Sequence, residues 1–209
     1  MDKIEGALLN AVGERAITYG FNPRPQGQTF VRRMADGQQA FHLAFIEHPS
    51  DFDVVGDVAV RFDAVENLIN QFHPRLSNRL KLQTYTVGAE LGNIAGEGQK
   101  RWTVASTDDV LPVADDIVGY FQKVGLPYLE TMSSMRNAYR ALTLPGSAGW
   151  MHSPIHAARA KRIVALAKLL EGSQEMSRRI DENTKFLEST GDSGIQDFKK
   201  FAVSISTEN

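Results

Sequence analysis

The chain has 209 residues, of which 42% are apolar and 23% are charged. These values are typical of a globular protein and argue against wholesale disorder. The net charge of −2, from 23 basic and 25 acidic side chains, favours neither nucleic acid nor an anionic membrane surface as a partner. Because there is no cysteine, the sequence excludes disulfides, thiolate metal sites and cysteine nucleophiles.

The beginning of the sequence carries no targeting signal. Residues 1–5 lack the basic and apolar regions of a signal peptide. No apolar stretch approaches the roughly 18–20 residues that a membrane span needs. Together with the absence of cysteine, this predicts a cytoplasmic protein that does not associate with membranes.

The first part of the chain predicts a helix followed by a β-hairpin. Apolar residues recur at helical spacing over residues 3–19 and stop at Gly20. Residues 28–35 and 38–47 are strand-like and are separated by Asp36-Gly37, a strong hairpin turn signal. The second run is apolar on both faces, which indicates a central strand.

The next part predicts more strands. Valine-rich residues 54–62 indicate a third strand, and residues 63–72 a short helix with Asp63 as its N-cap. Residues 80–88 and 100–106 indicate a second hairpin around a long glycine-rich loop.

From Asp108 onward the apolar period is helical. One helix is predicted to end at Gly125, and further helices are predicted over residues 157–170, 173–187 and 195–203. Because the strands come first and the helices last, the fold class is α+β, with an N-terminal helix and a largely antiparallel sheet of about five strands. Residues 144–149 contain a proline and two glycines, which interrupt regular structure. This predicts an α+β domain over 1–145 and a C-terminal helical extension over 150–209 that packs on the first domain.

Each catalytic or metal-binding motif fails on spacing or context. The loop from Gly92 to Gly98 lacks the Gly-Lys-Ser/Thr ending of a phosphate-binding loop. The pair Asp108-Asp109 is better explained as a helix cap than as a metal site. His152 and His156 are four apart, but Ser153-Pro154 places a helix start between them. The sequence therefore predicts no catalytic residue, no metal site and no cofactor.

Arginines in the predicted strands offer a recognition surface instead. Arginine suits bidentate contact with carboxylates and phosphates, and aromatic residues accompany it here. The candidate binding residues on the sheet face are Arg32, Arg33, His42, Arg61, Tyr85, Arg101 and Trp102. The basic run of Arg159, Lys161, Arg162 and Lys168 is interpreted as the solvent-facing side of a C-terminal helix.

Two stretches resemble a family of uncharacterised bacterial proteins grouped under a domain of unknown function. One comprises the opening helix, Gly20-Phe21 and residues 27–33. The other comprises Trp102-Thr-Val, an acidic helix start and residues 124–129. The resemblance covers about residues 1–145 and implies a helix, antiparallel strands and a further helix. The family has no established activity, and some proteins of this kind are suspected to be immunity or accessory proteins.

These observations favour a bacterial protein-binding or accessory protein, of immunity type in one version, without catalytic activity. The alternative is a hydrolase or small-molecule-binding enzyme whose site combines His42, Arg33, Arg61, Tyr85 and the acidic residues 51–57. Nucleic-acid binding is the third hypothesis and is disfavoured by the net charge. The oligomeric state does not follow from the sequence.

Overall fold

The computed structural model describes residues 3–24, 27–73 and 76–207. The strands are β1 (Asn22–Pro23), β2 (Thr29–Met34), β3 (Gly37–Glu47), β4 (Phe52–Phe62), β5 (Val87–Glu90) and β6 (Trp102–Val104). The helices are α1 (Lys3–Ala16), α2 (Asp63–Asn70), α3 (Asn78–Lys81), α4 (Leu91–Ala95), α5 (Val110–Tyr120), α6 (Leu126–Met132), α7 (Met135–Thr143), α8 (Gly146–Trp150), α9 (His156–Glu171), α10 (Ser173–Ser189) and α11 (Ile195–Thr207).

The sheet confirms the predicted α+β class. Its six strands are antiparallel and follow the order β1-β2-β3-β4-β5, with β6 also paired with β4. The first predicted hairpin is present, because Met34 pairs with Gly37 across the turn between β2 and β3. Within residues 3–24, 27–73 and 76–207, no helix has the length and apolar character needed to cross a membrane.

The second predicted hairpin is wrong, because α4 replaces its loop. β6 pairs with β4 through Val54 and Trp102 rather than forming a hairpin with β5. The Glu90 carboxylate caps α4 by accepting hydrogen bonds from the backbone N–H groups of Gly92 at 2.9 Å and Asn93 at 2.8 Å, and it also accepts one at 3.0 Å from the N–H of Lys100 beyond the helix. A Cβ at Gly92 would lie 2.2 Å from a backbone oxygen, so this closed turn requires glycine.

The predicted helix end at Gly125 is also wrong. A π-helical turn over Phe121–Gly125 joins α5 to α6 without a break. A Cβ at Gly125 would lie 2.6 Å from the ring of Phe121, which itself stacks on Phe41 with 4.2 Å between ring centroids. Gly125 therefore serves close packing rather than helix termination.

The chain forms two compact units, each built from two segments. The first unit comprises Met1–Val60 and Gly88–Thr131, and the second comprises Arg61–Val87 and Met132–Asn209. In the first unit, α1 packs against α5, and the core includes the buried rings of three phenylalanines, Phe30, Phe41 and Phe121. The predicted division at residues 145–150 differs from these units and, as a statement about independent domains, stays a prediction.

The second unit is organised around α9, which contacts α2, α7, α10 and α11. The predicted helices over 157–170, 173–187 and 195–203 are confirmed as α9, α10 and α11.

Asp63 is the first residue of α2 rather than its N-cap, and its carboxylate accepts a hydrogen bond at 2.7 Å from Arg61 Nε. Arg61 also donates to the carbonyls of Lys81 at 2.9 Å and Thr84 at 3.0 Å, so it ties the segment after α3 to the start of α2.

Acid is expected to weaken the link between α7 and α10. Hydrogen bonds from Arg178, Tyr139 and Arg179 lower the pKa of Glu175 from 4.5 to about 2. Because the folded pKa is depressed, this stabilisation is present above pH 4.5 and is lost as the pH falls towards 2. Thermal midpoints measured from pH 7 down to pH 2 should therefore show Glu175→Gln less stable than the wild type at neutral pH. The difference between the two midpoints should shrink as the pH falls. A gap that persists unchanged in acid, or one equally large for the exposed control Glu188→Gln, would contradict this.

Candidate anion-binding site

The seven predicted surface residues do not form one surface. Arg61 and Tyr85 belong to the second unit, and the other five belong to the first. Arg61 is only 1% exposed, which corrects the expectation that it faces solvent. Tyr85 lies outside the strands and is half-buried.

Two of the remaining five residues pack against neighbouring elements. Arg32 donates to Gln39 Oε1 at 2.6 Å, and its guanidinium carbon lies 4.8 Å from the centroid of the Phe21 ring. Trp102 is buried, and its ring meets that of Tyr120 edge-on with 5.7 Å between centroids. These contacts are those of structural residues.

The other three lie on the opposite face of the sheet, as strand alternation places them. Arg33 and Arg101 are exposed, and Arg101 is 3.4 Å from the Asp53 carboxylate. His42 is half-buried, and its Nδ1 is 2.9 Å from Thr29 Oγ1. Burial lowers the pKa of His42, which favours its neutral form. The binding and hydrolase hypotheses built on these residues stay predictions.

A buried arginine without a partner lies at the start of α9. Arg159 is 6% exposed, and within the part of the chain that the structure describes its guanidinium forms neither an ion pair nor a hydrogen bond. Its Nε is fully enclosed. Burial lowers the pKa of Arg159 from its usual value, because desolvation disfavours the charged form.

An aromatic cluster begins at this arginine, because the Phe186 ring lies 5.6 Å from its guanidinium carbon. The four residues Trp150, His156, Arg159 and Phe186 are together called the arginine site. The His156 ring meets the Trp150 ring at 4.9 Å and the Phe186 ring at 5.3 Å between centroids. The Nδ1 of His156 is enclosed and lacks a hydrogen-bond partner among the described residues. The site therefore contains two enclosed nitrogens without a hydrogen-bond partner in the described structure, Arg159 Nε and His156 Nδ1.

The backbone of α8 holds the guanidinium in place. A Cβ at Gly149 would lie 2.9 Å from Arg159 Nη1 and 2.2 Å from the carbonyl oxygen of Leu144. Because only glycine allows this approach, the end of α8 closes directly over the arginine.

The energy balance of Arg159 is unfavourable without a ligand. Burying an ion costs several kcal/mol even after the protein relaxes. The Phe186 ring, 5.6 Å from the guanidinium carbon, recovers about 0.5–2 kcal/mol as a cation–π contact. The desolvation cost of the enclosed Nε therefore has no compensation from a hydrogen bond to a described residue.

The position of Arg159 on its helix adds to this imbalance. It is the fourth residue of α9, whose N-cap Ile155 provides no capping side chain. Unpaired N–H groups and the positive end of the dipole make a helix N-terminus unfavourable for a cation and favourable for an anion. A carboxylate or phosphate at this point would pair with the arginine and the helix end together.

The sequence does not reveal this site. Arg159 and Lys161 were expected on the solvent-facing side of a C-terminal helix, and both are buried in α9. The interpretation failed because four helices contact α9 and leave it without a broad exposed side. No short motif marks the site, since Trp150, Arg159 and Phe186 are brought together only by the packing of α8, α9 and α10.

The structure also shows the surroundings of Asp109, which was predicted to cap a helix, and of the possible metal ligands. Asp109 accepts hydrogen bonds from the N–H groups of Ala105 at 3.0 Å and Ser106 at 2.8 Å, and with Ser106 it forms a capping box at the turn before α5. Hydrogen bonds from this backbone lower the pKa of Asp109. A capping role for Asp108 stays a prediction. Among the described residues, no group of three His, Cys, Asp or Glu side chains is placed to hold a metal ion.

Comparison with family models, curated proteins and solved structures finds no match for this chain. The resemblance to a bacterial family of unknown function stays a prediction.

Proposed function

We propose that this chain is a non-catalytic binding protein that holds an acidic side chain of a partner protein at the arginine site. The observation that supports this proposal is the burial of Arg159 without a compensating acceptor in the described structure. A partner's carboxylate would accept hydrogen bonds from the Nη groups, because Nε is the guanidinium nitrogen that the described structure fully encloses. An accessory or immunity-type protein that covers a surface of its partner is one version of this function.

The surroundings of the site favour a protein ligand over a free anion. Three apolar side chains in the segment before α9 are exposed, Leu144 by 46%, Trp150 by 38% and Ile155 by 70%. A central arginine with tryptophan, ringed by apolar contacts that exclude water, is the composition of binding hot spots between proteins. The fitting partner segment has one Asp or Glu among apolar residues.

Fluorescence anisotropy with blocked peptides tests the proposal. One pool of short peptides carries a single glutamate among leucine and phenylalanine, and a second pool carries glutamine at the same position. We expect the wild type to bind the glutamate pool at least about tenfold more tightly. Arg159→Gln should abolish this preference, whereas Arg140→Gln, which removes an exposed arginine from α7, should retain it.

Two results would overturn the proposal. Equal binding of the glutamate and glutamine pools by the wild type would show that the site does not recognise a carboxylate. Equally tight binding of free acetate or inorganic phosphate would show that the site takes a small anion rather than a protein segment.

A further inference from the structure

The second unit contains a cavity of about 280 Å³ on a different side of α9. Its walls include Glu66, Ile69 and Asn70 of α2 and Ala158, Lys161 and Arg162 of α9, and it is called the lysine pocket. Its volume lies at the lower end for ligand sites, so it suits a molecule of a few heavy atoms. Ile155, which is also one of the exposed apolar residues before α9, lines this pocket, whereas Trp150, His156, Arg159 and Phe186 do not.

The α2 wall presents two oxygens without donors. Glu66 is 1% exposed, and its only partner in the described chain is Arg162 Nε, 3.4 Å from Oε1, so Oε2 accepts no hydrogen bond. Asn70 uses its Nδ2 on Lys81 O and Thr84 Oγ1, which leaves its Oδ1 without a donor in the same residue set. Glu66 and Asn70 are four residues apart and therefore lie on one face of α2.

The α9 wall presents donors. The Nζ of the buried Lys161 donates to His73 Nε2 at 3.0 Å and to Asp197, which leaves its third proton unused. Arg162 donates through Nη1 to Ser153 Oγ at 3.0 Å, and its Nη2 makes no hydrogen bond to a described residue. The unused acceptors thus belong to α2 and the unused donors to α9.

The charges of the pocket are balanced. Lys161 and Arg162 contribute two positive charges, and Glu66 and Asp197 contribute two negative charges. A ligand with a net charge would bury an uncompensated ion, which is unfavourable. A ligand that carries one charge of each sign leaves the net charge of the pocket unchanged. It can also form hydrogen bonds with the unused acceptors on α2 and the unused donors on α9.

An apolar surface completes the pocket. Ile69, Leu76 and Ala158 line it beside the polar walls. A side chain without polar atoms fits there, because it would gain about 25 cal/mol for each Å² of apolar surface removed from water.

We infer that the lysine pocket binds a free α-amino acid with an apolar side chain. Its ammonium group donates to Glu66 Oε2 and Asn70 Oδ1, and its carboxylate accepts from Lys161 and Arg162. Its side chain lies against Ile69 and Leu76. This inference goes beyond the proposed protein binding and does not depend on it.

Calorimetric titration of the whole chain with three matched compounds tests the inference. Leucine carries both charges, isopentylamine lacks the carboxylate, and 4-methylpentanoate lacks the ammonium group. We expect leucine to bind, and each of the other two to bind at least about tenfold more weakly. Phenylalanine, valine and isoleucine extend the series and identify the preferred side chain.

Two substitutions locate the binding. Glu66→Gln should weaken leucine binding at least about tenfold by removing the partner of the ammonium group. Ala158→Phe should abolish leucine binding, because the larger side chain fills the cavity without changing a charge. This second variant still tests the site if Glu66→Gln disturbs folding. The exposed Asp181→Asn on α10 is the control and should bind like the wild type.

Three results would overturn the inference. Tight binding of the amine or the acid alone would show that the ligand is not zwitterionic. Leucine binding that survives Ala158→Phe would place the site elsewhere. Absence of binding by all four amino acids at millimolar concentration would exclude this class of ligand. None of these results bears on the arginine site, whose test uses peptides with blocked ends.

Discussion

Arg61→Met is expected to lower the free energy of unfolding by about 3–5 kcal/mol. The Arg61 side chain is almost fully buried, and its guanidinium donates to Asp63, Asn67 and the segment around Thr84. Methionine fills a similar volume but donates nothing, so buried acceptors would lose their hydrogen bonds. The loss should therefore come from these acceptors rather than from a cavity.

Thermal unfolding followed by circular dichroism measures this effect. For a chain of this length, each kcal/mol lost shifts the midpoint by roughly 2–4 °C. Arg33→Met is the matched control, because Arg33 is exposed on β2 and its replacement should change stability by less than about 0.5 kcal/mol. Equal midpoints for the two variants would show that the hydrogen bonds of Arg61 do not stabilise the fold.

Arg159→Met is expected to have the opposite sign and to raise the free energy of unfolding by about 1–3 kcal/mol. Unlike Arg61, Arg159 is buried without a carboxylate or carbonyl partner in the described structure. Methionine retains the contact with Phe186 and removes the desolvated charge. A residue that destabilises the free protein in this way is typical of a binding site, where function outweighs stability.

Urea unfolding of the wild type, Arg159→Met and the exposed control Arg140→Met tests this expectation. Arg140→Met should leave the midpoint close to that of the wild type. A lower midpoint for Arg159→Met would mean that the charge is compensated in the free protein, and the energetic case for an anion site would fail. A higher midpoint with lost binding of the glutamate peptides would connect the two properties.

The sequence predicted the elements whose signals are local. The β2–β3 hairpin follows from strand alternation around Asp36-Gly37, and α9, α10 and α11 follow from regular apolar spacing. Each of these elements is specified by its own residues, so no knowledge of the rest of the chain was needed.

The errors occurred where distant contacts decide the structure. Residues 91–95 form a helix because Glu90 caps it and the backbone near Gly98 closes on Gly92, which no periodicity reveals. The chain continues through Gly125 because Phe121 packs against it in a π-helical turn. In both places a glycine that indicated a break instead permits close packing.

The candidate site was beyond the sequence for the same reason. A basic residue on a helix is normally solvent-exposed, and this expectation was applied to Arg159. Its burial depends on α8 and α10, which approach α9 from segments that begin before it and after it in the chain. The exposed aromatic Trp150 became informative only once its contact with His156 was known.

The two-segment composition of each unit has a consequence for protein synthesis. The helix α2 packs on α9, but the ribosome completes α2 several seconds before it completes α9 at ordinary translation rates. During that interval α2, whose Val65 and Ile69 side chains are buried in the finished fold, lacks α9 as its native partner. The nascent chain therefore passes through a stage at which it is prone to self-association, and a chaperone that shelters α2 should increase the yield of folded protein.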